Sequence, residues 1–217
     1  PKEALQILEK GGYSPVPLLS NNNPPSHTRV RSLVNAAFTP EKAMASSRGI
    51  KWLEPHIYNI INQEIDKFIN NGHADVVQQL FDEVHTRMMF VLLGIPDEET
   101  AEVNQLAKSR AELTWGKLPK EEIIQEAHTL VDYWQYCEKH VNRLVENPGD
   151  DYTSELIRAR KGDNSIATVN EITMTVFNLL LAGSNPAGRG LINLLNHRES
   201  WKALCQDSSL IPNAVEE

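Results

Sequence analysis

The chain has 217 residues, a formal net charge of −8 at pH 7 and a sequence pI near 5.4. This acidic balance argues against a nucleic acid or an anionic membrane as a partner, because both are bound by basic surfaces. A chain of this length buries roughly 70% of its unfolded surface, which is enough for a sizeable core.

The cysteines and histidines predict neither a disulfide nor a metal site. Cys137 and Cys205 lie in helix-like contexts, and neither they nor the histidines follow a ligand spacing. No apolar run is long enough to cross a membrane, and the residues after Pro1 lack the charged-then-apolar order of a signal peptide. We therefore expect a cytoplasmic protein with no metal bound directly by its side chains.

Apolar residues recur at helical spacing along most of the chain, and no strand-like alternation of useful length occurs. The pattern predicts a mainly α protein. Caps, first-turn prolines and glycine stops bound the predicted helices. In chain order, the first predicted helix begins after Pro24-Pro25. The others run from Thr39 to about Gly49, from about Leu53 to Asn71-Gly72, from about Asp75 to Leu93, between Gly116 and Asn147, and from Ile172 to Gly183.

The first of these helices places His27 and Arg31 four residues apart, and hence on one face. Such a pair can bind a carboxylate or phosphate through charge-assisted hydrogen bonds. The alternative is a solvated helix face, which is the commoner environment of charged residues at this spacing. Arg29, which lies between these two residues in the sequence, is the better candidate for a merely exposed charge.

The last long helix begins with a capping box formed by Thr168 and Glu171, and it is apolar on nearly all sides. We therefore expect it to be central. Gly183 at its end either marks the helix terminus or allows a close approach. The Met88-Met89-Phe90 cluster and the pair Trp115 and Trp134 could line a substrate pocket, but core packing explains them more simply.

The residues from Asn23 to Pro40 (Asn-Pro-Pro-Ser-His-Thr-Arg-Val-Arg, then Ser-Leu-Val-Asn-Ala-Ala-Phe-Thr-Pro) resemble the C-helix signature of soluble bacterial cytochromes P450. Further segments resemble the family in the same order. Residues 91–99 resemble the end of its E helix, 148–156 the turn after its G helix, 179–183 its I helix and 211–217 the opening of its K helix. The resemblance implies a single P450-like helical domain over residues 1–217, the central portion of the family fold without the Cys-loop half.

By this resemblance the protein is a haem-dependent monooxygenase that inserts one oxygen atom of O2 into an apolar organic substrate. His27 and Arg31 would bind the haem propionates, while Ala182 and Gly183 would shape the oxygen side of the haem. The cofactor would be iron protoporphyrin IX. Electrons would come from NAD(P)H through a redox partner, either a ferredoxin or a reductase domain.

Two departures from the family pattern leave a second hypothesis open. Residues 184–188, Ser-Asn-Pro-Ala-Gly, stand where the family has an acid followed by a threonine. The sequence also ends at Glu217, before the loop that carries the thiolate ligand, and that thiolate promotes O–O cleavage. We therefore expect this polypeptide alone not to perform monooxygenation. The alternative is a degenerate or truncated P450-like protein without haem, acting as a binding or interaction module.

Overall fold

A computed structural model describes residues 1–38, 52–182 and 193–216. No strand is found in these three ranges, so the prediction of a mainly α protein is confirmed. The helices are α1 Lys2–Lys10, α2 Ser26–Phe38, α3 Leu53–Asp66, α4 Asp82–Leu93, α5 Thr100–Trp115, α6 Lys120–Glu146, α7 Tyr152–Arg160, α8 Val169–Ala182, α9 Arg198–Gln206 and α10 Ile211–Glu216.

Helix α8 lies at the centre of the bundle, as its apolar composition predicts, and packs against α4, α5, α6 and α7. Its residue Phe177 is fully buried. The ring of Tyr133 in α6 stacks on Phe177 with 4.6 Å between centroids, and its hydroxyl donates a 2.9 Å hydrogen bond to the Phe177 carbonyl oxygen. This bond satisfies a buried hydroxyl and fixes the axial position of α8 against α6.

Helix α3 contains a buried carboxylate that the sequence pattern does not reveal. Glu64 is 1% exposed and accepts hydrogen bonds from Lys67 and from Arg87 of α4, the latter at 2.7 Å. Burial raises the pKa of Glu64, but these two cationic donors outweigh burial and the pKa lies below its usual range. The ion pair therefore joins α3 to α4 from inside their interface.

The helix predicted from Asp75 to Leu93 is present, but its first turns are π-helical. The side chain of Asp75 accepts a hydrogen bond from the backbone N–H of Val77, and a π-helical stretch spans Val77–Phe81 before α4 begins. Helix α4 ends at Gly94 with φ of 73°, a left-handed conformation that favours glycine. In its last turns Met89, Phe90, Leu92 and Leu93 are buried, whereas Met88 and Val91 are only partly covered.

Helix α6 carries a polar network around the buried His140, on the side that faces the end of α4. His140 Nε2 lies 3.0 Å from the Leu93 carbonyl oxygen, and its Nδ1 lies 2.9 Å from a guanidinium nitrogen of Arg143. Arg143 and Tyr136 both donate to the carboxylate of Glu99. With Nδ1 accepting from Arg143, His140 is a neutral imidazole that donates through Nε2.

Helices α2 and α8 are tied together by an ion pair. Both terminal guanidinium nitrogens of Arg29 donate to the carboxylate of Glu171, at 2.5 and 3.0 Å, and one also donates to the Ile166 carbonyl oxygen at 2.9 Å. The prediction that Arg29 is merely exposed is therefore wrong. Sequence spacing does not reveal a partner that lies 142 residues away.

Glu171 also forms the predicted capping box. Its backbone N–H donates to the Thr168 hydroxyl at 3.1 Å, and its carboxylate accepts from the Thr168 backbone N–H at 2.8 Å. One carboxylate thus caps α8 and binds Arg29 of α2. Burial raises the pKa of Glu171, but the Arg29 and Thr168 hydrogen bonds outweigh it and hold the pKa below its usual range.

Other predictions have mixed outcomes. Trp134 is buried, but Trp115 is 72% exposed, so the core prediction is wrong for Trp115, which ends α5 beside a loop. The helix predicted from Thr39 to Gly49 lies outside the described residues. Among the helices of the described residues, none combines the length and hydrophobicity needed to cross a membrane.

Replacing Glu171 with Gln removes the charge that pairs with Arg29. We expect the free energy of unfolding to fall by about 1.5–3 kcal/mol, the usual contribution of hydrogen bonds to charged groups. Urea denaturation measures the change. Glu199→Gln is the matched control, because Glu199 forms an exposed ion pair with Lys202 within α9 and should change stability by less than about 1 kcal/mol. Equal effects of the two variants would contradict a structural role for the Arg29–Glu171 pair.

His140 should make the protein less stable in mild acid. Burial lowers the pKa of His140, and the hydrogen bond to the Leu93 carbonyl only partly opposes this shift. The unfolded chain therefore takes up a proton that the folded state resists. His140 does not lower the free energy of unfolding above the pKa of an unfolded histidine, which is about 6.5. Below that pH the free energy of unfolding falls until the pH reaches the lower pKa of the folded state.

The measurement compares urea denaturation of the wild type and His140→Gln across this pH range. Glutamine can keep both hydrogen bonds without titrating, so we expect a shallower loss of stability in acid. His128→Gln, an exposed position on the same helix, is the control. An unchanged pH dependence in His140→Gln would contradict the assignment.

Candidate functional site

The first candidate element is the N-terminal half of α2, which begins directly after Pro24-Pro25 as predicted. The backbone N–H of His27 donates to the Asn23 carbonyl oxygen at 2.9 Å, and that of Arg29 donates to the Pro25 carbonyl oxygen at 3.2 Å. These bonds satisfy donors that a helix start otherwise leaves free. The start of α2 is therefore built onto the loop that precedes it.

The three basic residues of this half-helix have different environments. Arg29 is committed to Glu171, whereas the side chains of His27 and Arg31 make no hydrogen bond or ion pair with any residue that the structure describes. His27 is half-buried and Arg31 is exposed. Two residues correspond to about 200° around a helix, so His27 and Arg31 lie nearly opposite the Arg29 side.

This division fits a site for an acidic group. Arg29 fixes the helix to α8, and no described residue engages the donors of the two remaining basic side chains on the other face. An imidazole and a guanidinium one turn apart suit a pair of carboxylates, such as the two propionates of a haem. The role of His27 and Arg31 as cofactor ligands stays a prediction.

The second candidate element is the end of α8. Ala182 is the last residue of that helix, and Gly183 lies outside the described residues. Residues 184–188, where the sequence departs from the resemblance, lie outside them as well. The role of Ala182 and Gly183 on the oxygen side of a haem therefore also stays a prediction.

A third element, which sequence reasoning missed, surrounds Phe177 of α8. The guanidinium carbon of Arg110 in α5 lies 4.6 Å from the centre of the Phe177 ring. Tyr13 lies 5.8 Å from Phe177 and 5.4 Å from Trp134, which itself meets Phe177 edge-on at 5.5 Å. Arg110 belongs to no spacing motif, so only the packing of α5 on α8 identifies it.

Two donors in this cluster have no partner in the part of the chain that the structure describes. The indole N–H of Trp134 and one terminal guanidinium nitrogen of Arg110 are buried without a hydrogen bond in the structure. Buried polar groups are nearly always hydrogen-bonded, and each exception needs an explanation. The cluster can therefore donate hydrogen bonds to an acceptor that the described residues do not supply.

Cys137 offers no reactive thiol. Cys137 is buried, and burial raises its pKa far above the usual range, which favours an inert thiol. Cys205 is exposed on α9. No group of three or more His, Cys, Asp or Glu side chains in the described part of the chain could hold a metal ion.

Comparison with known proteins gives a consistent result. No family model matches the chain. Cytochrome P450 CYP107DY1 of Priestia megaterium is 28% identical over 210 residues, which cover 93% of this chain and 48% of that protein. The 6-deoxyerythronolide B hydroxylase of Saccharopolyspora erythraea is 26% identical, with coverage of 92% and 47%.

Solved structures agree. Cytochrome P450 CREJ in complex with (4-ethylphenyl) dihydrogen phosphate superposes with a TM-score of 0.82 and 34% identity, covering 98% of this chain and 52% of that one. The chain thus spans about half the length of the relatives that it matches. Because these relatives are P450s and hydroxylases, they favour the monooxygenase hypothesis over a haem-free interaction module. By sequence and by fold, the chain is related to the bacterial cytochromes P450 and corresponds to about half of their structure.

Proposed function

We propose that this chain is part of a cytochrome P450 monooxygenase that inserts one oxygen atom of O2 into an apolar organic substrate. The observation that carries the proposal is that the basic side chains of α2 have different environments on opposite faces of the helix. Arg29 binds Glu171 and fixes the helix, while His27 and Arg31 stay unpaired toward the described residues on the other face. We further propose that residues 1–217 form a single domain.

The cofactor in this proposal is haem, held by its acidic edge. The imidazole of His27 and the guanidinium of Arg31 would donate charge-assisted hydrogen bonds to the two propionates. When bound, the haem supplies the iron chemistry that activates dioxygen. Ala182 and Gly183 would present little side-chain volume at the end of α8, which leaves room for oxygen and substrate.

The substrate in this proposal is largely apolar. Helix α8 carries Phe177, Leu179 and Leu180 in its last three turns, and both leucines are only partly covered by the core. Partly covered leucines on a central helix provide an apolar wall for a ligand. We propose that electrons come from NAD(P)H through a ferredoxin or a reductase domain and that the protein works in the cytoplasm.

The test of this proposal is haem retention by the longest natural form that contains this chain. We expect His27→Ala and Arg31→Ala each to weaken haem binding roughly 10- to 100-fold, the range for losing a hydrogen bond to a charged group. Haem titration followed by the Soret band measures the affinity. Thr28→Ala is the matched control, because Thr28 is an exposed residue between the two.

The same protein gives a direct test of the cofactor. A reduced carbon-monoxide difference spectrum with the band of thiolate-ligated haem is the expected result. Failure to take up haem, or equal haem affinity in wild type, His27→Ala and Arg31→Ala, would contradict the proposed roles. The Glu171→Gln variant separates positioning from contact: it should weaken haem binding less than Arg31→Ala, because it loosens α2 without removing a propionate donor.

A further inference from the structure

The cluster around Phe177 contains buried donors to which no described residue supplies an acceptor. Trp134 is 1% exposed, and its indole N–H has no acceptor. One terminal nitrogen of Arg110 is also buried without an acceptor. An unpaired buried donor lowers the free energy of unfolding by about 1–3 kcal/mol, and by more when the group is charged. Two such donors in one cluster therefore destabilise the folded state considerably.

The charge of Arg110 is also unbalanced. No carboxylate of the described ranges forms an ion pair with Arg110, whereas the half-buried Arg29 and Arg87 pair with Glu171 and Glu64. The positive charge reaches its neighbours, because it lowers the pKa of Tyr13 and of Cys137 against the larger rise that burial causes. The local potential therefore favours an anion.

The surroundings of these donors suit an aromatic or otherwise apolar ligand body. Tyr13, Trp134 and Phe177 lie within 5.8 Å of one another by ring centroids, and the Arg110 guanidinium lies over the Phe177 ring. Apolar walls with a few convergent polar groups are the usual composition of a small-molecule site. Ala182, which is proposed to lie on the oxygen side of the haem, follows Phe177 by five residues, or roughly 7.5 Å along α8. The cluster therefore lies close to that proposed site on the same helix.

We propose that Arg110 and Trp134 bind the anionic group of the substrate, and that the substrate class is a small apolar molecule carrying a carboxylate or a similar oxyanion. Arg110 supplies the charge and Trp134 a second hydrogen bond. This inference rests on the proposed function, since it names the substrate class of that same site. Arg110 is thereby a specificity-determining residue, because a neutral analogue would leave its guanidinium unpaired.

The experiment uses two probes that share an apolar body. Calorimetry of the longest natural form measures binding of 4-ethylbenzoate and of the neutral 4-ethylbenzyl alcohol. We expect the carboxylate to bind at least about 10-fold more tightly than the alcohol, as a charge-assisted hydrogen bond allows. In Arg110→Gln this preference should fall to about 2-fold or less, with the affinity for the alcohol unchanged. In Trp134→Phe it should fall by a smaller factor.

Controls and contrary outcomes are distinct. Arg198→Gln, on the exposed surface of α9, should keep the full preference. Unchanged alcohol affinity and an unchanged helical circular dichroism spectrum establish that Arg110→Gln is folded. A wild type that binds both probes equally, or an Arg110→Gln variant that keeps the preference, would mean that water satisfies these donors and would overturn the proposal. Calorimetry does not require haem, so loss of haem uptake with retained carboxylate preference would refute only the proposed function.

Discussion

The ion pair between Arg29 and Glu171 joins α2 to α8, the helices that carry the first two candidate elements. Glu171 caps α8, and Arg29 precedes the half-turn of α2 that ends at Arg31, so one carboxylate coordinates the starts of both helices. Side-chain exposure is 33% for Arg29 and 11% for Glu171, so water screens the pair only partly. A bidentate pair with this degree of burial also fixes orientation, because the planar guanidinium accepts only a narrow range of approach.

The interior uses polar groups in two ways. Glu64 and His140 are buried, and each has partners that satisfy it and that join different helices. Such groups specify how the helices pack, because an alternative packing would leave them unpaired. Arg110 and Trp134 differ, since their donors are buried and unsatisfied. Burying unsatisfied donors lowers stability, so each such group in a native structure calls for an explanation, and a bound ligand is the one proposed above.

The relation to bacterial P450s supports one proposed function for these observations. The proposed substrate class is not taken from any relative. The fold places α8 at the centre, and the site elements lie on it or are tied to it: the α2 face through Glu171, and the aromatic cluster through Phe177. In the proposed enzyme, α2 holds the cofactor edge and the Phe177 cluster selects the substrate. In that proposed enzyme, one central helix would connect cofactor binding with substrate choice.

Local features of the sequence determined the helices and part of the candidate site. Periodicity, capping residues and the i, i+4 spacing of His27 and Arg31 are interactions within a few residues, so they can be read from order alone. The capping box at Thr168 and the central place of α8 were predicted on this basis. The tertiary structure alone decided that Arg29 binds Glu171, that Glu64 is buried, and that Arg110 lies over Phe177. Each of these depends on which helix faces which. Packing of distant segments sets that choice, and no local pattern records it.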